Sequence, residues 1–193
     1  IEEKGFKFVL CGSSSRKLKK AGVNLLAGRA LHRLMHPFVP EEIGAAYNIH
    51  DVMRFGALPV VHDSGNEEDK RDTVRSYARM YLKEEIQAEA VVRNLPAFSR
   101  FLPVAAVCHA ETINVSGIAR DAAVARSTVN GYIEILEDTL LCFRLNGYEA
   151  KARVKERKLP KLYWVDPGIV RAVKGALNAP VEEEKGALFE GLV

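Results

Sequence analysis

The stretch that decides the fold is Asn114–Leu145, NVSGIARDAAVARSTVNGYIEILEDTLLCFRL. Small and apolar residues recur at helical spacing on both sides of the segment Ala123–Ala125, so the pattern predicts two helices joined by a tight turn. Ser116 and Ser127 are the predicted N-caps. The residues expected to face the core are Ile118, Ala119, Ala122, Val124, Val129, Tyr132, Ile133, Leu136 and Leu140. This spacing is typical of a helix-turn-helix, whose second helix is the longer one.

Two strand-like segments follow, at Leu141–Leu145 and Lys161–Val165. The link between them, NGYEAKARVKERKLP, is rich in lysine and arginine, and only Glu149 and Glu156 offset that positive charge. A helix-turn-helix followed by a basic two-stranded ribbon is the pattern of a winged helix.

A winged helix of this kind predicts contacts with duplex DNA. Recognition helices present their first residues to the major groove, and basic ribbons lie along phosphates. The candidate DNA-binding residues are Arg126, Ser127, Thr128 and Asn130 on the helix and Lys155, Arg157 and Lys158 on the ribbon. The acids Glu134, Glu137 and Asp138 lie further along the helix and would repel a DNA backbone. A winged helix that docks a protein partner is the alternative interpretation.

The rest of the chain predicts a mainly α fold with a few strands. Expected strands are Phe6–Leu10 and Ala30–Phe38, and expected helices begin at Pro40 and span Ile49–Phe55, Glu68–Val92 and Leu95–Ala110, the last interrupted by Pro103. The 193 residues are 48% hydrophobic and 27% charged with a net charge of +3, as in globular proteins. No apolar run approaches the roughly 18 residues that a membrane span needs. Cys11, Cys108 and Cys142 have apolar neighbours and are expected to be reduced core residues of a cytoplasmic protein.

Five stretches in order resemble a large prokaryotic family of predicted AAA-type ATPases. They are GSSSRKLKKAGVNLLAGRALHRLMHPFVPEEI, YLKEEIQAEAVVRN, VSGIARDAAVARSTVNGYIEILEDTLL, PKLYWVDPGIVRAV and GALFEGLV. In that family a winged helix and a C-terminal domain resembling a restriction endonuclease follow the ATPase core. The resemblance implies an ATPase-core remnant at residues 1–65, a helical linker at 66–110, the winged helix at 111–166 and the start of the nuclease-like domain at 167–193.

The resemblance also implies a nucleotide site. Ser13 and Ser14 would contact the γ-phosphate, Arg16 would help to bind the nucleotide, and Ser13 and Arg29 would act in catalysis. A plain helix N-cap remains the alternative for the serines. The phosphate loop and the acids that hold magnesium have no match in this sequence. ATP and magnesium are therefore expected only in a longer protein, and this chain alone is expected to be inactive.

Glu190 matches the first acid of the nuclease-like domain, but the later Asp and Glu-x-Lys positions have no match. Two functions remain open. In one, ATP binding in a longer protein controls a winged helix that binds DNA or a partner. In the other, the chain is a nucleotide-independent module that docks a protein partner or a second copy of itself.

Overall fold

The computed structural model describes residues 8–9, 11, 31, 33–81, 92, 94–148, 159–177 and 182–193. The helices are α1 (Pro40–Ile43), α2 (Ile49–Phe55), α3 (Pro59–His62), α4 (Glu67–Ser76), α5 (Leu95–Val107), α6 (Val115–Asp121), α7 (Arg126–Asp138), α8 (Pro167–Lys174) and α9 (Glu182–Glu190). The strands are β1 (Glu111–Thr112), β2 (Cys142–Leu145) and β3 (Lys161–Trp164). The mainly α class with a few strands is confirmed. In the part of the chain that is described, no helix is long and apolar enough to cross a bilayer.

The three strands form one antiparallel sheet in the order β1-β3-β2. Phe143 lies opposite Tyr163, and Leu145 lies opposite Lys161. Because directly opposed residues share a face of a sheet, these four side chains lie on the outer face. Trp164 lies on the opposite face and is buried, and its indole Nε1–H donates to the carbonyl oxygen of Ala105 on α5 (3.1 Å). The sheet is therefore tied to α5 through its inner face.

Side-chain caps explain where most of the longer helices begin. In four helices an asparagine side chain accepts hydrogen bonds from backbone N–H groups of the first turn. These N-caps are Asn48 for α2, Asn66 for α4, Asn94 for α5 and Asn114 for α6. The prediction that Ser116 caps α6 is wrong, because the amide oxygen of Asn114 already accepts the N–H of Gly117 (3.0 Å). Asparagine and serine cap helices equally well, so composition could not choose between them.

One apolar cluster extends from Met53 to Leu188. It contains every residue that the sequence placed in the core of the helix-turn-helix, except that Val124 is only partly buried and Leu140 is not among its buried members. An aromatic group lies at its centre: the rings of Phe98 and Phe101 lie 4.9 and 5.2 Å from that of Tyr132. The helix-turn-helix therefore packs on α5 and not on its own sheet alone.

Several expectations from the sequence are wrong. Residues 31 and 33–39 form no strand, and Leu34 and Met35 are exposed, because their backbone has no strand partner in the described ranges. Helix α5 continues through Pro103. Proline has no N–H, so the carbonyl group one turn earlier lacks its usual helical donor. Pro103 lies on the exposed side of the helix, where water can donate to that carbonyl instead. Cys11 is exposed and Cys108 is only partly buried, whereas Cys142 is a core residue as expected.

Two predicted elements are described only in part. Phe8 and Val9, of the predicted strand Phe6–Leu10, are exposed and not in a strand. The predicted helix Glu68–Val92 begins one residue earlier as α4 and continues into a π-helical turn at Tyr77–Tyr81. The remaining residues of both predictions lie outside the described residues, with the exception of Val92.

Asp166 joins the N-terminal helices to the sheet. This buried carboxylate follows β3, caps α8 by accepting the N–H of Ile169 (3.0 Å), and accepts the N–H of Ala57 (2.7 Å). Burial raises its pKa to about 6, and the backbone N–H donors act in the opposite direction. Residues 55–57 lie very close to residues 166–168. A Cβ atom on Gly56 would lie 2.0 Å from Asp166 Oδ1, and a Cβ atom on Gly168 would lie 2.0 Å from the Phe55 carbonyl oxygen.

Replacing Asp166 by asparagine should destabilise the protein. The asparagine side chain would have the same shape, but its NH₂ group would face one of the two N–H donors and leave it unsatisfied in the interior. We expect Asp166→Asn to lower the free energy of unfolding by about 1–3 kcal/mol in urea titration. The exposed Asp63→Asn is the control and should change it by less than about 0.5 kcal/mol. Equal effects of the two substitutions would contradict this role of Asp166.

Candidate nucleic-acid interface

The turn between α6 and α7 is held by backbone geometry and by one arginine. Ala123 adopts a left-handed conformation (φ 51°). The N–H of Val124 donates to the Ala119 carbonyl (2.9 Å), and that of Ala123 donates to the Arg120 carbonyl (3.2 Å). This pair of bonds closes the C-terminus of α6 as a Schellman motif. From α5, Arg100 donates to the carbonyl oxygens of Ala122 (3.3 Å) and Ala123 (3.5 Å), so the turn is also fixed to the core.

The polar start of α7 faces solvent. Arg126, Ser127 and Asn130 are exposed and Thr128 is partly buried, while Val129 beneath them is buried. The structure therefore brings all four predicted helix residues together on the first turns of one helix. The prediction that Ser127 caps this helix is wrong: Ala125 is the N-cap and offers no side-chain oxygen. The uncapped N-terminus leaves backbone N–H groups that can receive an anion.

The acids further along α7 are partly neutralised. Glu137 accepts hydrogen bonds from Arg144 on β2, from Nε (2.9 Å), from a terminal nitrogen (2.5 Å) and from the backbone N–H (3.2 Å). The hydrogen bond with Glu137 raises the pKa of Arg144. This pair locks the second half of α7 against the sheet. Glu134 is exposed on the same helix, so the N-terminal end of α7 is the end suited to phosphate.

The basic ribbon is anchored by the last pair of its strands. Leu145 lies opposite Lys161, so residues 146–160, here called the β2–β3 connection, begin and end at adjacent positions. Lys155, Arg157 and Lys158 belong to this connection but lie outside the described residues. Lys161, with which β3 begins, pairs with Glu190 (2.6 Å).

Apolar side chains are exposed around the two ends of the β2–β3 connection. The exposed fraction is 47% for Phe143, 54% for Leu145, 85% for Tyr148 and 60% for Leu159. Phe143 stacks on Tyr163 with ring centroids 5.5 Å apart, which keeps its ring in place on the outer face of the sheet. The candidate interface therefore combines a polar helix end with a partly apolar strand surface.

The residues of the predicted nucleotide site are not among those that the structure describes. Ser13, Ser14, Arg16 and Arg29 lie outside the described residues. Among the residues that are described, no group of three or more His, Cys, Asp or Glu side chains is arranged to hold a metal ion.

Sequence reasoning missed three residues that shape this surface. One is Arg100, whose partners Ala122 and Ala123 lie 22 and 23 positions later. The others are Arg144, whose pairing with Glu137 depends on how β2 packs against α7, and the exposed Tyr148. The exposed aromatic Tyr148 within a basic stretch is the one that a search for aromatic residues between cations could have found.

Comparisons with known proteins give a family and distant relatives. The family described as Domain of unknown function (DUF8612) matches residues 47–179. An uncharacterized protein of Mycobacterium tuberculosis is 24% identical over 97% of this chain, which covers 43% of that relative. An uncharacterized protein of Methanocaldococcus jannaschii is 22% identical over 100% of this chain, which covers 47% of that relative. The chain thus spans less than half the length of these relatives. No solved structure matches.

Ala123 provides a test of the turn geometry. A left-handed conformation costs an alanine about 1 kcal/mol more than a glycine. Because Ala123 is exposed, Ala123→Gly loses no packing and should raise the free energy of unfolding by about 0.5–1 kcal/mol. Ala123→Val should lower it, since a β-branched residue resists this conformation more strongly. Shifts of the same sign in urea titrations of both variants would contradict the left-handed turn.

Proposed function

The chain belongs to the DUF8612 family, and we propose that its winged unit, residues 95–164 from α5 to β3, binds duplex DNA. The observation that carries this proposal is the order of elements, α5-β1-α6-α7-β2-β3, with β1 and β2 on either side of β3 and with the polar start of α7 exposed. This is the order of a winged helix, in which the second helix of the helix-turn-helix enters the major groove.

Each exposed residue at the start of α7 has a chemical role in this proposal. Arg126 can donate two hydrogen bonds to guanine, and Asn130 can pair with adenine. The hydroxyl groups of Ser127 and Thr128 suit phosphate oxygens, as do the backbone N–H groups of the first turn. Arg126 has no ion-pair partner within the described ranges, so its guanidinium group needs no release before it binds.

The β2–β3 connection supplies the sequence-independent part of binding. It carries Lys155, Arg157 and Lys158, together with Lys151 and Arg153, against two glutamates. Cations of this density release counterions from DNA and make affinity depend steeply on salt. The proposed division of roles is that α7 reads bases and the connection holds the phosphate backbone.

Nucleotide control of this binding is the second part of the proposal, and the resemblance to AAA-type ATPases supports it. In a longer protein Ser13, Ser14, Arg16 and Arg29 would contribute to the ATP and magnesium site. The described residues do not provide such a site, so no step of the reaction is assigned to them. A prokaryotic DNA-binding protein with free cysteines would act in the cytoplasm.

Docking of a protein partner or a second copy is the alternative function. The exposed side chains of Phe143, Leu145, Tyr148 and Leu159 favour it, because apolar surface of this kind commonly marks protein interfaces. Salt separates the two functions, since apolar contacts do not weaken as salt rises.

Fluorescence anisotropy with labelled duplexes at several salt concentrations tests the DNA proposal. Lys158→Gln should weaken binding equally on all sequences and reduce the slope of log affinity against log salt by about 1. Arg126→Ala should cost about 1–3 kcal/mol on a preferred site and less on other sequences, because a bidentate base contact is lost. Arg126 is exposed, so Arg126→Ala should melt at the same temperature as the parent, and a melt of Lys158→Gln checks that this variant is folded.

Arg75→Ala is the matched control, since it removes one exposed arginine from α4, which is not part of the winged unit. It should leave both affinity and slope unchanged. Absence of duplex binding by the parent at about 50 mM salt, where non-specific contacts are strong, would refute the DNA proposal and leave protein docking in its place.

A further inference from the structure

The carboxylate of Glu190, at the end of α9, covers two donors on the outer face of β3. Lys161 Nζ lies 2.6 Å from Oε1, and the phenol of Tyr163 donates to the same oxygen (2.5 Å). The hydrogen bonds from Lys161 and then Tyr163 lower the pKa of Glu190, which is therefore ionised at neutral pH. An anion with two oxygens thus occupies this position in the folded chain.

An ammonium group beside a phenol hydroxyl is a donor pair that also suits a DNA phosphate. Lys161 is the residue with which β3 begins, directly after the β2–β3 connection and opposite Leu145. The pair is therefore continuous with the proposed phosphate-binding segment. The side chains of Lys161 and Glu190 are 40% and 47% exposed, so the ion pair lies at the surface, where such pairs are weak.

Helix α9 does not depend on Glu190 for its position. Leu188 is 1% exposed and belongs to the core. Gly191 lies so close to His109 that a Cβ atom there would be 2.4 Å from Nε2. At the start of the helix Glu184 pairs with Arg171 (3.2 Å) and with Lys174. Replacing the Glu190 carboxylate should therefore leave the helix docked.

We infer that Glu190 is an autoinhibitory residue, which holds Lys161 and Tyr163 away from a DNA phosphate. The inference rests on the proposed DNA-binding function and names a regulator of the same surface. Displacement of the Glu190 carboxylate from Lys161 would add a phosphate contact at the start of β3, directly after the β2–β3 connection. The contact between Glu190 and Lys161 would thereby set the affinity for DNA.

Four variants in the anisotropy assay test this inference: Glu190→Gln, Lys161→Gln, the double variant and Glu41→Gln. Glu41 is exposed on α1, and its replacement changes the net charge by the same amount as that of Glu190. Release of Lys161 should steepen the salt slope of Glu190→Gln by about 0.9 and tighten binding by about tenfold near 0.1 M salt. Lys161→Gln should abolish this gain in the double variant, while Glu41→Gln should show no gain. Circular dichroism melts check that every variant is folded.

The outcomes separate this inference from the proposed function. If the parent binds duplex DNA and Glu190→Gln has the same affinity and slope, the inference is wrong and the DNA proposal stands. The same holds if Glu41→Gln gains as much, or if the double variant keeps the gain. If the parent does not bind duplex DNA at about 50 mM salt, the DNA proposal and the inference that rests on it are both refuted.

Discussion

The buried carboxylate of Asp166 is the contact on which the arrangement of the chain depends. It lies two positions after the end of the central strand β3, caps the start of α8, and accepts the N–H of Ala57 from a segment more than a hundred residues earlier. Glycine at positions 56 and 168 is required by the closeness of this approach. Arg171 extends the connection, since it donates to the Arg54 carbonyl (2.9 Å) and pairs with Glu184 on α9. The short helix α8 therefore links α2 and α9 to the sheet.

This connection places the candidate interface on a rigid support. Trp164 precedes Asp166 by two positions and joins β3 to α5, and Arg100 on α5 fixes the turn before α7. The exposed start of α7 and the base of the β2–β3 connection are thus held by the same core. Because α9 contacts β3 through Glu190, displacement of this carboxylate would change the surface directly. The structure supplies a physical path between the C-terminal helix and the proposed DNA contacts.

The sequence predicted the local part of this fold and missed the distant part. The periodicity of Asn114–Leu145 was sufficient for both helices, the turn and the following strand, because each depends on residues a few positions apart. The expected strand Ala30–Phe38 failed, since a strand requires a partner that periodicity cannot supply. Of the candidate site, the first turn of α7 was predictable from its polar residues. The contacts of Lys161 with Glu190 and of Arg100 with the turn join distant segments and had no sequence signal.

Hydrogen–deuterium exchange of the chain with and without a duplex tests the central claim, that the winged unit is the DNA-binding surface, most directly. The account predicts slower exchange on DNA binding in residues 126–130 and in residues 146–160, with α2 and α4 unchanged. These two helices serve as an internal reference, because they lie in the segments before the winged unit. Protection confined to α2 or α4, or no protection of residues 126–130 by a duplex that binds, would contradict the account.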